Sequence, residues 1–184
     1  MRKLIRSVAV GASLAASVLF APQAIAQDAH APEQQIAGTD VQLSPNGARD
    51  AQTRAIAEAN AAEVSAAATL CGTGYELEFA EQLPDSRRYG TLFTYVKSSV
   101  GSYGVCALFD NNTSSAKHMK LKLCPNKEGA ACPTDEGTYS QYAGPVKYES
   151  SNGLYVMCAP VTAIMWDANG TPIIDRVRSA TLCD

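Results

Sequence analysis

The chain reads as an all-β protein, an antiparallel sandwich or small barrel of about seven strands with three disulfides, preceded by an Ala-rich helix. Three observations predict this. From Cys71 onward, short segments of alternating apolar residues recur between clusters of Gly, Pro, Asn, Asp and Ser, the texture of strands joined by tight turns. All six cysteines lie in that same region, an even number that favours crosslinks over free thiols. The N-terminus has the marks of an export signal, which puts those cysteines where they oxidise.

Residues 1–26 supply the signal peptide: Arg2, Lys3 and Arg6 form a basic start, "SVAVGASLAASVLF" an apolar middle, and Ala24-Ile25-Ala26 a small-residue cleavage site. The apolar run is too short to span a bilayer, so a secreted chain without a transmembrane segment is expected. Cleavage removes three of the 15 basic residues and leaves 12 against 18 acids, moving the formal charge from −3 to −6. Nucleic acid is thereby a poor partner, because phosphate binding needs a basic face.

Residues 27–45 are polar and carry no sustained apolar period, which predicts a flexible leader. Residues 46–70 form the Ala-rich helical segment. Ile56, Ala59, Glu63, Val64, Ala67 and Leu70 recur at helical spacing, Ser44 or Asn46 is placed to cap the start, and Gly72 to stop it. Alanine methyls offer little area, so loose docking or a spacer role is expected.

Residues 71–184 form the disulfide-stapled β domain. The strand segments are Tyr75–Ala80, Tyr89–Lys97, Tyr103–Phe109, His118–Leu123, Thr138–Glu149, Leu154–Trp166 and Thr171–Leu182. Asn152-Gly153 and Asn169-Gly170 are the strongest hairpin turns, since a type I′ turn wants positive φ at both central residues. Six cysteines admit about 15 connectivities, and strand geometry narrows them. A hairpin tip over Asn126–Ala131 sets Cys124 opposite Cys132 and Lys122 opposite Thr134. A turn at Asn169-Gly170 sets Cys158 opposite Thr181, within reach of Cys183, and leaves Cys71 to Cys106.

"CGTGYEL" (Cys71–Leu77), "YGTLFTYV", "GVCALF" and above all "DEGTYSQYAGPVKYE" (Asp135–Glu149), followed by two later cysteines, resemble the small secreted spore-associated protein A family of actinobacteria. The likeness runs from Cys71 to Cys183, and its most specific pieces are the CGxGY opening and the Tyr-Ala-Gly-Pro-Val turn. It implies an exported protein associated with spores or the cell exterior, with no established reaction and no catalytic residues to carry over. In that pattern Cys71, Cys106, Cys158 and Cys183 match, while Cys124 and Cys132 look like an additional local pair.

Chemistry is weakly signalled. His118 is the domain's one histidine and alternates with Lys120 and Lys122 opposite Met119, Leu121 and Leu123, which puts it on a wet strand face with no nucleophile elbow to serve. Glu76, Glu78, Asp135, Glu136, Asp167 and Asp175 would suit a two-carboxylate hydrolase, but their turn and alternate-strand positions predict solvated acids. Asp110-Asn111-Asn112-Thr113 lacks the spaced ligands of a calcium loop and reads as a turn; Asn111 and Asn112 also head glycosylation sequons. No CxxC pair suggests zinc, and no cofactor motif is present.

Candidate binding residues are aromatic or basic. Tyr139 and Tyr142 fall on opposite faces, and Tyr148 lies beyond the break at Ala143-Gly144-Pro145, so the rings are expected to cover a corner where the chain changes sheet. Tyr139, Tyr142 and Trp166 are the rings available to a carbohydrate-binding platform. Lys127, near the tip of "CPNKEGAAC", is placed as a protease inhibitor would place a basic residue, although a stapled hairpin is the simpler account. The reading that best fits the whole is a secreted, non-catalytic spore- or cell-surface protein with a structural or binding role, its partner a surface polymer or another protein. A secreted protease inhibitor or carbohydrate-binding module is the alternative.

Overall fold

The computed structural model describes residues 35–84 and 87–183; the signal read over 1–26, and positions 27–34 of the leader, lie outside the described residues. Two helices, α1 (Ala51–Ala59) and α2 (Ala61–Cys71), precede eight strands: β1 (Glu76–Leu83), β2 (Gly90–Ser99), β3 (Ser102–Asn111), β4 (Lys117–Leu123), β5 (Thr134–Tyr139), β6 (Tyr142–Ser150), β7 (Pro160–Trp166) and β8 (Pro172–Ser179). Sheet I has the order β1-β2-β3-β6 and sheet II the order β5-β4-β7-β8, every pairing being antiparallel. This is the sandwich expected from the strand texture, with one strand more. The segment over Thr138–Glu149, expected to break at Ala143-Gly144-Pro145, divides instead at Ser140-Gln141, where the chain passes from sheet II to sheet I, and Gly144-Pro145 lie within β6.

The interior has two parts, one on each side of sheet I. Between the sheets, Leu92, Val105, Ala107, Phe109, Met119, Leu121, Leu123, Val161, Ala163 and Met165 form a buried core. On the other side Leu77, Phe93, Tyr95, Cys106 and Leu108 meet Ile56, Val64, Ala67 and Ala68 of the helices. Sheet I is therefore covered on both faces, and Gly90 through Tyr95 of β2 are all buried, as a central layer requires.

The Ala-rich segment departs from expectation in three ways. It forms two helices, because Asn60 leaves helical geometry at φ −131°, ψ 41° and turns its Nδ2–H back to the Ile56 carbonyl at 2.7 Å. Its N-cap is Asp50, whose carboxylate accepts from Thr53 N–H at 3.0 Å, not Ser44 or Asn46. It docks closely rather than loosely: small Ala67 and Ala68 let the helix approach the sheet, and the large side chains come from the sheet. The Tyr95 hydroxyl donates to the Val64 carbonyl at 2.8 Å, and Ala80 N–H to Thr53 Oγ1 at 3.1 Å. Gly72 ends α2 as expected.

Positions 35–45 of the stretch read as a flexible leader are ordered and packed. Leu43 bridges Leu77 in parallel, Ser44 N–H donates to the Leu77 carbonyl at 2.9 Å, and Leu77 N–H to the Gln42 carbonyl at 2.9 Å. Ile36, Val41 and Leu43 enter the helix-side core. Three apolar residues sufficed because each meets a surface already built by other elements; their spacing need not follow a helix or strand period.

All three expected crosslinks form: Cys71–Cys106, Cys124–Cys132 and Cys158–Cys183, with Cα–Cα distances of 5.9, 4.3 and 4.8 Å. The first ties α2 to β3, the second closes the β4–β5 connection with Lys122 opposite Thr134, and the third joins the entry to β7 to the segment after β8. The turn at Asn169-Gly170 connects β7 and β8, and from Met165 opposite Ile174 the register is the expected one. It is not a type I′ turn, since Gly170 has φ +80° but Asn169 has no positive φ, and a bulge between Met165 and Trp166 takes up the difference. Asn152-Gly153 makes no hairpin: Asn152 caps a 3-10 turn, Gly153–Tyr155, on a connection between the two sheets. Among the described residues no helix is long and apolar enough to cross a membrane.

Candidate binding face and end cavity

The solvent side of sheet II is built by period-two alternation. On β4, Met119, Leu121 and Leu123 are fully buried, so His118, Lys120 and Lys122 point outward, as their spacing predicts. Register sets His118 beside Thr138 on one flank and Trp166 on the other, and Lys120 between Glu136 and Ile164. The His118 and Trp166 rings lie 4.7 Å apart at 42°. Glu136 accepts from Lys120 Nζ at 2.8 Å and lies 3.4 Å from His118 Nε2, and chiefly the Lys120 hydrogen bond holds its carboxyl below the usual range. Val177, 60% exposed and opposite Thr162, continues the face onto β8. The result is a sheet surface with one aromatic pair, two lysines and two carboxylates, Glu136 and Asp175, the latter opposite Ile164.

The tyrosines of "YSQYAGPVKYE" serve the corner instead. Tyr139 and Tyr148 pack against the core between the sheets from opposite sheets, whereas Tyr142 packs on the helix-side core. The Tyr139 hydroxyl donates to Asp135, whose other oxygen accepts from Gly144 N–H at 2.6 Å, so a carboxylate on β5 clasps the backbone of β6. That hydrogen bond to Asp135 is the main reason the Tyr139 phenol is held above its ordinary value. Gly144 adopts φ +100°, and a Cβ there would meet Leu121 Cδ2 at 2.9 Å and the Ala107 carbonyl at 3.0 Å, so this turn is restricted to glycine. Of the three rings considered for a platform, only Trp166 belongs to the exposed sheet II face.

Lys127 folds back onto its own protein. Its Nζ lies 5.2 Å over the Tyr155 ring, and Asn126 N–H donates to the Tyr155 carbonyl at 2.9 Å. The Lys127 side chain makes the ring contact while staying exposed on the crosslinked loop. Of the Asp110–Thr113 stretch read as a turn, Asp110 and Asn111 close β3 and the turn follows them: Asn111 is buried, its Oδ1 accepting from Thr113 and its Nδ2 donating to Ser115 and Tyr139 carbonyls, while Asn112 donates to Thr91 Oγ1. Among the described residues no group of three or more His, Cys, Asp or Glu is placed to hold a metal ion.

Glu78 corrects the expectation that the carboxylates are solvated. It is 2% exposed and accepts from Ser44 Oγ and from Asn46 Nδ2, the latter at 2.9 Å. The cause is a bulge between Leu77 and Phe79 that breaks the alternation of "YELEFA" and leaves Glu78 without a cross-strand partner. Beyond the bulge Glu81 ion-pairs with Arg176 at 2.7 Å and Arg178 at 3.1 Å, and Arg178 lies 4.3 Å over the Phe79 ring, so charges close the edge where β1 overlies β8.

Glu78 lines a cavity of about 360 Å³ where the starts of β1 and β3 and the end of β2 meet the β6–β7 connection and the C-terminal segment. Glu76, Val96, Val156, Met157 and Leu182 also line it. Burial, and secondarily the charge of Glu78, raise the Glu76 carboxyl above its usual range. No sequence period announces this cavity, because its walls come from six separate stretches of chain.

Comparison with protein-family models finds no match to the chain, and comparison with curated protein sequences finds none either.

Proposed function

We propose that this is an exported, non-catalytic protein of the cell or spore exterior that docks through the open face of sheet II onto a surface polymer. The observation that carries the reading is the asymmetry of the fold. Sheet I has helices on one side and sheet II on the other, while among the described residues nothing covers the outer face of sheet II, which bears the His118–Trp166 pair and the Lys120–Glu136 ion pair. A flat face of sugar-stacking aromatic and hydrogen-bonding charged groups suits an extended polymer better than a small substrate. Three disulfides support service outside the cell, where a marginal core benefits from covalent closure. The resemblance to the spore-associated protein A family points the same way.

The test is fractionation followed by competition. Exported protein is expected to sediment with spores or purified wall material, and Trp166→Ala to leave at least about tenfold more protein in the supernatant, a loss of about 1.4 kcal/mol. Trp166 is half-buried on the outer face, so the variant should keep its melting temperature within a few degrees. Equal sedimentation of both proteins, or none of either, would refute docking by this face.

A further inference from the structure

The end cavity has a polar side that the protein leaves electrically uncompensated. Glu78 is nearly inaccessible, yet its partners, Ser44 and Asn46, are neutral donors. Glu76 adds a second carboxyl to the same lining. Among the described residues the only cation lining the cavity is Lys97, and it is committed elsewhere, its Nζ donating to Glu149 at 3.0 Å and lying 5.5 Å over the Tyr75 ring. A carboxylate taken out of water without an opposite charge is costly, and the cost falls when a cation arrives. The remaining lining is largely aliphatic: Val96, Val156, Met157 and Leu182. Two of the lining stretches are tied together, since Thr181 Oγ1 donates to the Val156 carbonyl at 2.8 Å and the nearby Cys158 and Cys183 are crosslinked.

We propose that this cavity is a binding site for a small amphipathic organic ammonium ion, its charged head against Glu78 and Glu76 and its hydrocarbon part along Val96, Val156, Met157 and Leu182. The volume suits a ligand of modest size, and the combination of one charged end with an apolar remainder is what pocket recognition requires. The site is distinct from the sheet II face, and neither depends on the other.

Three six-carbon probes separate the contributions: hexylammonium, hexan-1-ol and hexanoate, titrated into the oxidised chain and followed by calorimetry and amide chemical shifts. Hexylammonium is expected to saturate with a Kd of about 1 mM or tighter, hexanol to bind at least about tenfold more weakly, and hexanoate weakest of all. Glu78→Gln should erase the preference for the ammonium ion. Because Glu78 is buried and that variant can fail to fold, Met157→Lys is the second: the partly exposed Met157 tolerates a longer polar chain, and its charge should lower hexylammonium affinity about tenfold or more. Absence of saturable hexylammonium binding would overturn the proposal. So would hexanoate binding as tightly as hexylammonium, or a folded Met157→Lys chain of unchanged affinity.

Discussion

Asp110 shows at the scale of one residue how the helix layer governs behaviour. It lies near the end of β3 and lines a cavity of about 400 Å³ with Glu63 of α2 and Tyr142 of β6. Burial first, and the charge of Glu63 second, push its carboxyl up to about 7. Tyr95 faces the same region from β2, and its phenol is raised by burial and then by Asp110. The folded chain therefore retains a proton on Asp110 that the unfolded chain, with a carboxyl near about 3.9, has released. The resulting stabilisation is complete below about pH 4 and is lost as pH rises through about 7. Asp110→Asn should raise the urea midpoint at about pH 8, have a smaller effect at about pH 4, and flatten the slope between. An unchanged slope would mean that Asp110 ionises freely. Residues of this kind set the limit of sequence reading. His118 was legible because three buried neighbours fix its face by alternation, but Asp110 and Glu78 depend on a helix and a bulge that the local pattern does not encode.

At the scale of elements, the crosslinks differ in what they hold. Cys71–Cys106 spans 35 residues and joins the helix layer to the centre of sheet I, both sulfurs being buried; Cys124–Cys132 spans 8 and closes one connection. Loop-closure entropy alone assigns about 4 kcal/mol to the first and about 2.5 kcal/mol to the second. The double variant Cys71→Ala/Cys106→Ala should thus lower the denaturant midpoint more than Cys124→Ala/Cys132→Ala. It should also speed amide exchange in α2 ahead of the strands. The reverse order of midpoints would show that the helices hold without their tether. The pairings were legible because two hairpin registers, Lys122 opposite Thr134 and Pro160 opposite Ser179, count directly from their turns. The break at Asn60 was not, and the sheet change, expected at Ala143-Gly144-Pro145, falls a few residues earlier, at Ser140-Gln141. The first is a local effect, Asn60 Nδ2–H bonding back four residues to the Ile56 carbonyl, whereas the corner takes its place from a tertiary contact, the Asp135–Gly144 clasp.

At the scale of the whole molecule, the described residues form a sheet covered on both sides against a sheet covered on one. Its class followed from the strand texture and the cysteines, but which face stays bare did not. Alanine methyls look too small to hold a helix against a sheet until Phe93, Tyr95 and Leu108 are seen to supply the missing bulk. The leader likewise gave no sign that Ile36, Val41 and Leu43 complete that layer. The bare sheet II face thus follows from where the helices dock, and the proposed function rests on it. The most direct test is to map amide and side-chain shifts of the oxidised chain while solubilised wall or spore-coat polymer is added. Shifts concentrated at His118, Lys120, Glu136, Ile164 and Trp166 are predicted; shifts confined to the helix layer, or no saturable change anywhere, would contradict the account.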